Sequence, residues 1–274
     1  MVRRLGEWEE PAVETPSRVA TLAAALGLAA AVAFVLGPAA IQIGAVSPFV
    51  GFRIFGLGLL LGVLALVFGA VGLWRTRASA GRHGRRRAVV GTGLGLTIVA
   101  IVVLAAGSAG NAPVINDITT DPADPPGFTA AQKIDANRGR DLGYPGDDFA
   151  RQQREGYPDL ASIRLSDPPD AAFARAERAA AALSWDIRYR DPTTGVFEAV
   201  EVTRIFRFVD DIVVRVRAAP ASAAEPRAQR AEGERSSEGR AGSVVDVRSK
   251  SRDGRGDMGA NAARIRAFRD ALSR

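Results

Sequence analysis

Apolar and polar positions are spread so unevenly along this chain that its two halves follow different patterns. Up to Gly107 the sequence is dominated by Ala, Leu, Val and Gly, with uncharged runs at 19–37, 54–74 and 88–107. Each run approaches the roughly 20 apolar residues that cross a bilayer core, which predicts three transmembrane helices after a short segment, 1–18. The first run is the least apolar and has the length of a signal peptide. Glu7, Glu9, Glu10 and Glu14 nevertheless make a poor basic leader, and more apolar sequence follows at once, so a retained span is expected.

Beyond a joint at 108–112 the pattern becomes that of a water-facing domain, 113–274. Residues 114–120 form a short extended segment, and Pro122, Pro125 and Pro126 then force irregular chain. Little is periodic up to Pro169, which predicts a long arm wrapped over the domain. Asp170 is a candidate N-cap for a helix reaching Leu183, with Phe173, Ala176, Ala180 and Leu183 on one side. Trp185, Ile187 and Tyr189 alternate with Asp186, Arg188 and Arg190, the period of a half-buried strand, and 191–195 makes a turn. A β-rich run over 196–208 shifts phase near Arg204, suggesting a bulge. Asp210 and Asp211 are expected in a tight connection to a strand through Ile212, Val214 and Val216.

A fourth strand covers 244–249. Before it, 218–242 has no large apolar residue and is expected to be a disordered excursion. The last helix spans 260–272, with Ile265, Phe268 and Leu272 inward and Arg266 and Arg269 outward. The expectation is an α+β domain, an antiparallel four-stranded sheet packed with two helices, preceded by an all-α bundle of three transmembrane helices.

Charge then orients the bundle. The net charge of +6 belongs wholly to the first 107 residues, since 108–274 carries 26 Lys and Arg against 26 Asp and Glu. No basic face for nucleic acid is implied. Arg75, Arg77, Arg82, Arg85, Arg86 and Arg87 lie between the second and third spans, whereas the connection over 38–53 has Arg53 alone. Arginine is retained on the cytoplasmic side, so the Arg-rich loop and the N-terminus are expected inside and the soluble domain periplasmic or extracellular, on a multi-pass cytoplasmic (inner) membrane protein. Gly58 with Gly62 and Gly91 with Gly95 make two G-x-x-x-G spacings, which serve either packing within the bundle or a homo-oligomer seam. With no ionisable residue inside the spans, an ion or proton pathway has nothing to run on.

Candidate chemistry is narrow. There is no cysteine, and the single histidine, His83, sits in the Arg-rich loop, so the soluble domain offers neither a Ser-His-Asp triad nor a Cys- or His-ligated metal. Residues 253–257 lack the spacing of a calcium loop. No catalytic residue, metal or cofactor is assigned. The densest polar cluster is Asp246, Arg248, Ser249, Lys250, Ser251 and Arg252, followed by Gly254, Asp257, Gly259, Asn261 and Arg264. It straddles a strand end and a helix start, where Gly254, Gly256 and Gly259 permit positive φ or close backbone approach and Asp257 is placed to cap the helix.

This run resembles the motif of the domain of unknown function 1499 family, approximately R-S-x-S-R-x-G-x-x-D-x-G-x-N-x-x-R, which Arg248, Ser249, Ser251, Arg252, Gly254, Asp257, Gly259, Asn261 and Arg264 occupy without a gap. Residues Asn116, Asp117, Ile118, Thr119, Thr120 and Asp121, the Pro125-Pro126 pair, and Phe208 to Asp211 extend the resemblance. It implies a membrane-associated domain whose activity is undetermined. Candidate binding residues are Asp117, Thr119, Asp121, Arg248, Ser249, Ser251, Arg252, Asp257, Asn261 and Arg264. They form either a structural Arg–Asp network or a receptor for an anionic headgroup, a wall component or an envelope protein. The competing function is a hydrolase built from Asp117, Asp121, Asp246, Asp257 and Ser251, or a protein that handles lipid headgroups; the former needs two carboxylates facing each other across an open cleft.

Overall fold

The computed structural model describes residues 15–77, 82–107, 110, 112–220 and 242–274, and the chain divides into two compact units at Ser108/Ala109. The first unit holds three helices, α1 (Arg18–Gln42), α2 (Pro48–Arg75) and α3 (Arg85–Gly107). Each contains one of the apolar runs and is long enough to cross a membrane. Ser17 caps α1 by accepting from the Ala20 N–H, and Ser47 precedes Pro48 at the start of α2. A two-residue parallel pairing joins β1 (Thr15–Pro16) to β2 (Arg82–His83) beside the Arg-rich loop.

The helices meet through small residues, among them Ala23, Gly27 and Ala30 of α1, Gly58, Gly62 and Ala65 of α2, and Ala88, Gly91 and Gly95 of α3. Large apolar side chains such as Leu28, Val35, Leu57, Leu60, Leu96 and Leu104 point outward. This inverted pattern suits a lipid solvent, in which close backbone approach rather than hydrophobic burial holds helices together. Both G-x-x-x-G pairs are used inside the bundle. A methyl group at Gly58 would stand 2.5 Å from the backbone N of Phe34, and one at Gly95 would stand 2.4 Å from the carbonyl oxygen of Gly62.

The second unit is built on a six-stranded, wholly antiparallel sheet ordered β3-β8-β7-β6-β5. Its strands are β3 (Asp117–Thr119), β4 (Ile163–Leu165), β5 (Asp186–Asp191), β6 (Val196–Val202), β7 (Val209–Ala218) and β8 (Ser243–Ser251). The two short ones share an edge: β3 pairs with the C-terminal half of β8, and β4 with its N-terminal half. At the opposite edge β5 carries a register irregularity between Ile187 and Tyr189 and alternates exposed with half-buried residues.

Helices α5 (Pro169–Ala182) and α6 (Ala260–Leu272) cover one face of the sheet. Phe173 and Ala176 of α5 and Ile265, Phe268 and Leu272 of α6 pack on Phe197, Ile212, Val214, Val245 and Val247. Trp185 stacks on Phe268 with ring centroids 4.9 Å apart, a core position as its alternation predicts. The other face is covered by the chain over 126–144, whose apolar contribution is small: Phe128, Ala131 and Leu142 against Val213.

The sheet has six strands rather than four, and a third helix, α4 (Asp147–Gly156), lies within what was expected to be an irregular arm. Asp210 and Asp211 are not a turn but buried residues of β7, and the reversal lies at 203–208, where Arg207 takes φ +50°. The phase shift near Arg204 is thus the end of a strand. Asp170 is not an N-cap: Pro168 holds that place, and Asp170 sits in the first turn of α5, where its charge suits the helix dipole. The excursion expected at 218–242 falls mostly outside the described residues; β7 continues to Ala218, and the Ala219 N–H donates to the Gly242 carbonyl at 2.7 Å.

Candidate functional site

All nine residues of β8 are buried, flanked by β7 on one side and by β3 and β4 on the other. Alternation sends Ser249 and Ser251 to the helix face and Asp246, Arg248 and Lys250 to the arm face. The candidate residues therefore divide into separate clusters on opposite sides of the sheet.

On the helix face, Ser249 Oγ donates to Asn261 Oδ1 at 2.7 Å, and Asn261 Nδ2 donates to Ser251 Oγ at 3.0 Å and to the Asn116 carbonyl at 3.1 Å. Arg264 donates to Ser249 Oγ and Asn261 Oδ1, and pairs with Asp210 at 2.6 Å and Glu201 at 2.5 Å. Burial pushes the Asp210 carboxyl above its ordinary range, and Arg264 opposes that shift. Asp257 caps α6, its carboxylate accepting the Gly259 N–H at 2.9 Å and the Asn261 N–H at 2.7 Å. Gly259 at φ +84° makes the turn into the helix, and at Gly256 a methyl group would stand 3.2 Å from the Val114 side chain.

On the arm face Arg248, only 2% exposed, forms a bidentate pair with Asp117 at 2.8 and 2.7 Å. Its remaining N–H groups donate to the Pro126 and Leu142 carbonyls, and its guanidinium lies over the Phe128 and Tyr144 rings. Lys250 donates to the same Asp117 carboxylate at 2.8 Å. Desolvation, with Asp117 nearby, pushes the Tyr144 phenol up to about 12. Thr119 is held through its backbone: Gln153 of α4 accepts from its N–H at 2.9 Å and donates to its carbonyl at 2.6 Å, supplying the outer side of β3 with the partner a further strand would give. Asp121 pairs with Arg215 and Arg217, which also reach the fully buried Asp246 at 3.2 and 2.7 Å; Ser162 donates to Asp246 at 2.6 Å.

Arg252 lies nearest to solvent of the basic candidates. It grips Asp211 through two bonds at 2.9 and 2.6 Å beside an open recess of about 530 Å³, lined by Ala130, Ile134, Val200, Val202 and Val209. Seven of the ten candidates are buried, leaving only Asp121, Arg252 and Asp257 partly open. Asp117, Asp121 and Asp246 are each paired with at least two basic side chains, Asp257 is occupied by helix amides, and Ser251 lies within the sheet. Asp121 and Asp246 meet on the same two arginines, Arg215 and Arg217, whereas Asp117 is held by Arg248 and Lys250. No group of three or more acidic, His or Cys residues suited to a metal occurs among the described residues.

Sequence reasoning missed Glu198, Asn137, Arg140 and Gln153. Glu198, 2% exposed, accepts the Thr129, Ala130 and Ala131 N–H groups at 2.5, 2.8 and 2.7 Å, fixing the arm to the sheet. Its signal was an acid set between the apolar Phe197 and Ala199 in the interior of a strand. Arg140 donates to the Ser251 and Arg252 carbonyls, and Asn137 to Asp211 and the Ala131 carbonyl.

A model of the family described as "Protein of unknown function (DUF1499)" matches residues 117–272, the whole span of this sheet-and-helix unit, and the chain belongs to that family. No curated protein and no solved structure matches it.

Proposed function

We propose that this chain is a multi-pass protein of the cytoplasmic membrane that holds its DUF1499 domain on the periplasmic or extracellular side as a non-catalytic binding or scaffolding module. The observation that carries this reading is the engagement of the family motif. Its serines, arginines, asparagine and aspartate are bonded to one another and to neighbouring strands, as a framework requires and as a reaction centre, with groups left for substrate, does not. The orientation rests on the six arginines from the last residue of α2 to the first turn of α3.

The cysteine-free chain makes the test direct. Thr193→Cys in the β5–β6 turn should react with a membrane-impermeant maleimide in intact spheroplasts, and Ser79→Cys should react only after lysis; the reverse pattern removes the outward assignment. Ser251→Ala and Asp246→Asn should lower the amount of folded protein. Full amounts of folded but inactive protein would favour catalysis.

A further inference from the structure

The large apolar side chains left exposed among the described residues of the second unit are Val114, Ile134, Val202, Ile205 and Met258, and all of them gather at one end of the sheet. The register shows why they meet. The Ser251 N–H donates to the Asn116 carbonyl, the Arg252 N–H to the Val209 carbonyl and the Asp257 N–H to the Ile115 carbonyl. The entry of the unit, the β6–β7 turn and the loop after β8 are therefore neighbours. Ile134 and Val202 reach the same place through the recess beside Arg252. Val114, Ile205 and Met258 are 73%, 60% and 64% exposed, whereas Ile212, Val214, Val247 and Phe268 are in the core.

Charge accompanies this patch. Arg204 and Arg207 flank Ile205 in the turn, and Arg255 lies in the adjoining loop, all exposed; Asp253 is the exposed acid beside them. An apolar tip within a ring of arginines matches a bilayer interface, where apolar groups enter the headgroup boundary and cations meet lipid phosphates. This is also the end at which the chain arrives from α3. Nine residues separate Gly107 from Asp117, a tether of at most about 35 Å. A short tether raises the effective concentration of lipid at this end above any free partner's.

We propose that this end of the domain, centred on Ile205 with Arg204, Arg207 and Arg255, docks on the surface of an anionic lipid bilayer. The proposal deepens the membrane-module reading above and rests on it. Docking adds a second point of attachment and sets which side of the domain is presented away from the membrane, the side with the β5–β6 turn.

The full-length chain, carrying Ile205→Cys or, as control, Thr193→Cys at the other end of β6, is labelled with an environment-sensitive fluorophore. Each is reconstituted into phosphatidylcholine vesicles with or without about one third phosphatidylglycerol. With lipids spin-labelled near the headgroup, quenching at position 205 should exceed that at 193 by about threefold or more in the anionic vesicles. Arg204→Glu with Arg207→Glu should abolish the excess while leaving the signal at 193 unchanged. Equal quenching at the two positions, or an excess indifferent to lipid charge and to the reversals, overturns the proposal. The maleimide experiment decides the outward assignment separately, because docking in vesicles does not depend on which side of a cell the domain occupies.

Discussion

At the residue scale the domain is held by arginines paired with buried acids. Arg248 is the extreme case, because Asp117 beneath it is fully buried and shared with Lys250. Removing one partner from such a pair strands the other in a medium of low dielectric constant. Arg248→Met is therefore expected to destabilise the domain by about 3–5 kcal/mol, read from denaturant midpoints, and Arg266→Met much less. Arg266 pairs with Asp159 near the surface, and its hydrogen bonds are the main cause holding the Asp159 carboxyl down at about 2. A carboxyl lowered on folding contributes stability that is complete above its usual value of 3.8 and lost as pH falls toward 2. Asp159→Asn should lower stability by a constant amount above that window and flatten the acid limb within it, as followed by unfolding at a series of pH values. Much of this scale was legible: the motif identified Arg248, Arg264 and Asp257 as interacting groups. Asp117 was legible as an acid for these arginines and the helix amides as partners of Asp257, but Asp210 and Glu201, which hold Arg264, were not, because a run of seventeen residues does not reveal that alternation in β8 sends Arg248 to one face and Ser249 to the other until the strand's neighbours are known.

At the scale of elements, legibility followed periodicity. The α6 boundaries, the alternation of β5 and the apolar face of α5 were all visible because one face of each meets the core. By contrast α4 contains only Phe149 and Ala150 as apolar residues and is positioned by Gln153, a polar side chain acting on a backbone edge. Asp210 and Asp211 carried the sequence sign of a turn, and two arginines distant in sequence, Arg264 and Arg252, make them strand residues. The arm over 126–144 is the element most dependent on polar latches, since its apolar core is a few side chains. Glu198→Ala removes the acceptor of three backbone N–H groups and is expected to cost about 2–3 kcal/mol. Hydrogen exchange should rise over 126–144 while α5 and α6 stay protected; uniform loss of protection would mean that the arm and the helix face unfold as one.

At the scale of the whole molecule, two solvents have shaped two kinds of interior. In the first unit small residues face inward and large ones outward; in the second the order is reversed. Composition alone exposed this division, and the charge asymmetry between the loops gave an expected orientation. The long edge strand β5, paired only with β6, has a bearing on how such molecules coexist when crowded in two dimensions. The outer edge of β5 would invite a neighbouring copy to add its own strand, yet Asp186, Arg188 and Arg190 are exposed along the strand, and its register breaks between Ile187 and Tyr189. Arg188→Val with Arg190→Val should turn this guarded border into an adhesive one, visible as higher-order species in size-exclusion chromatography of the detergent-solubilised chain. Solubility here is thus a property written into a border, where likeness between molecules would otherwise become attachment.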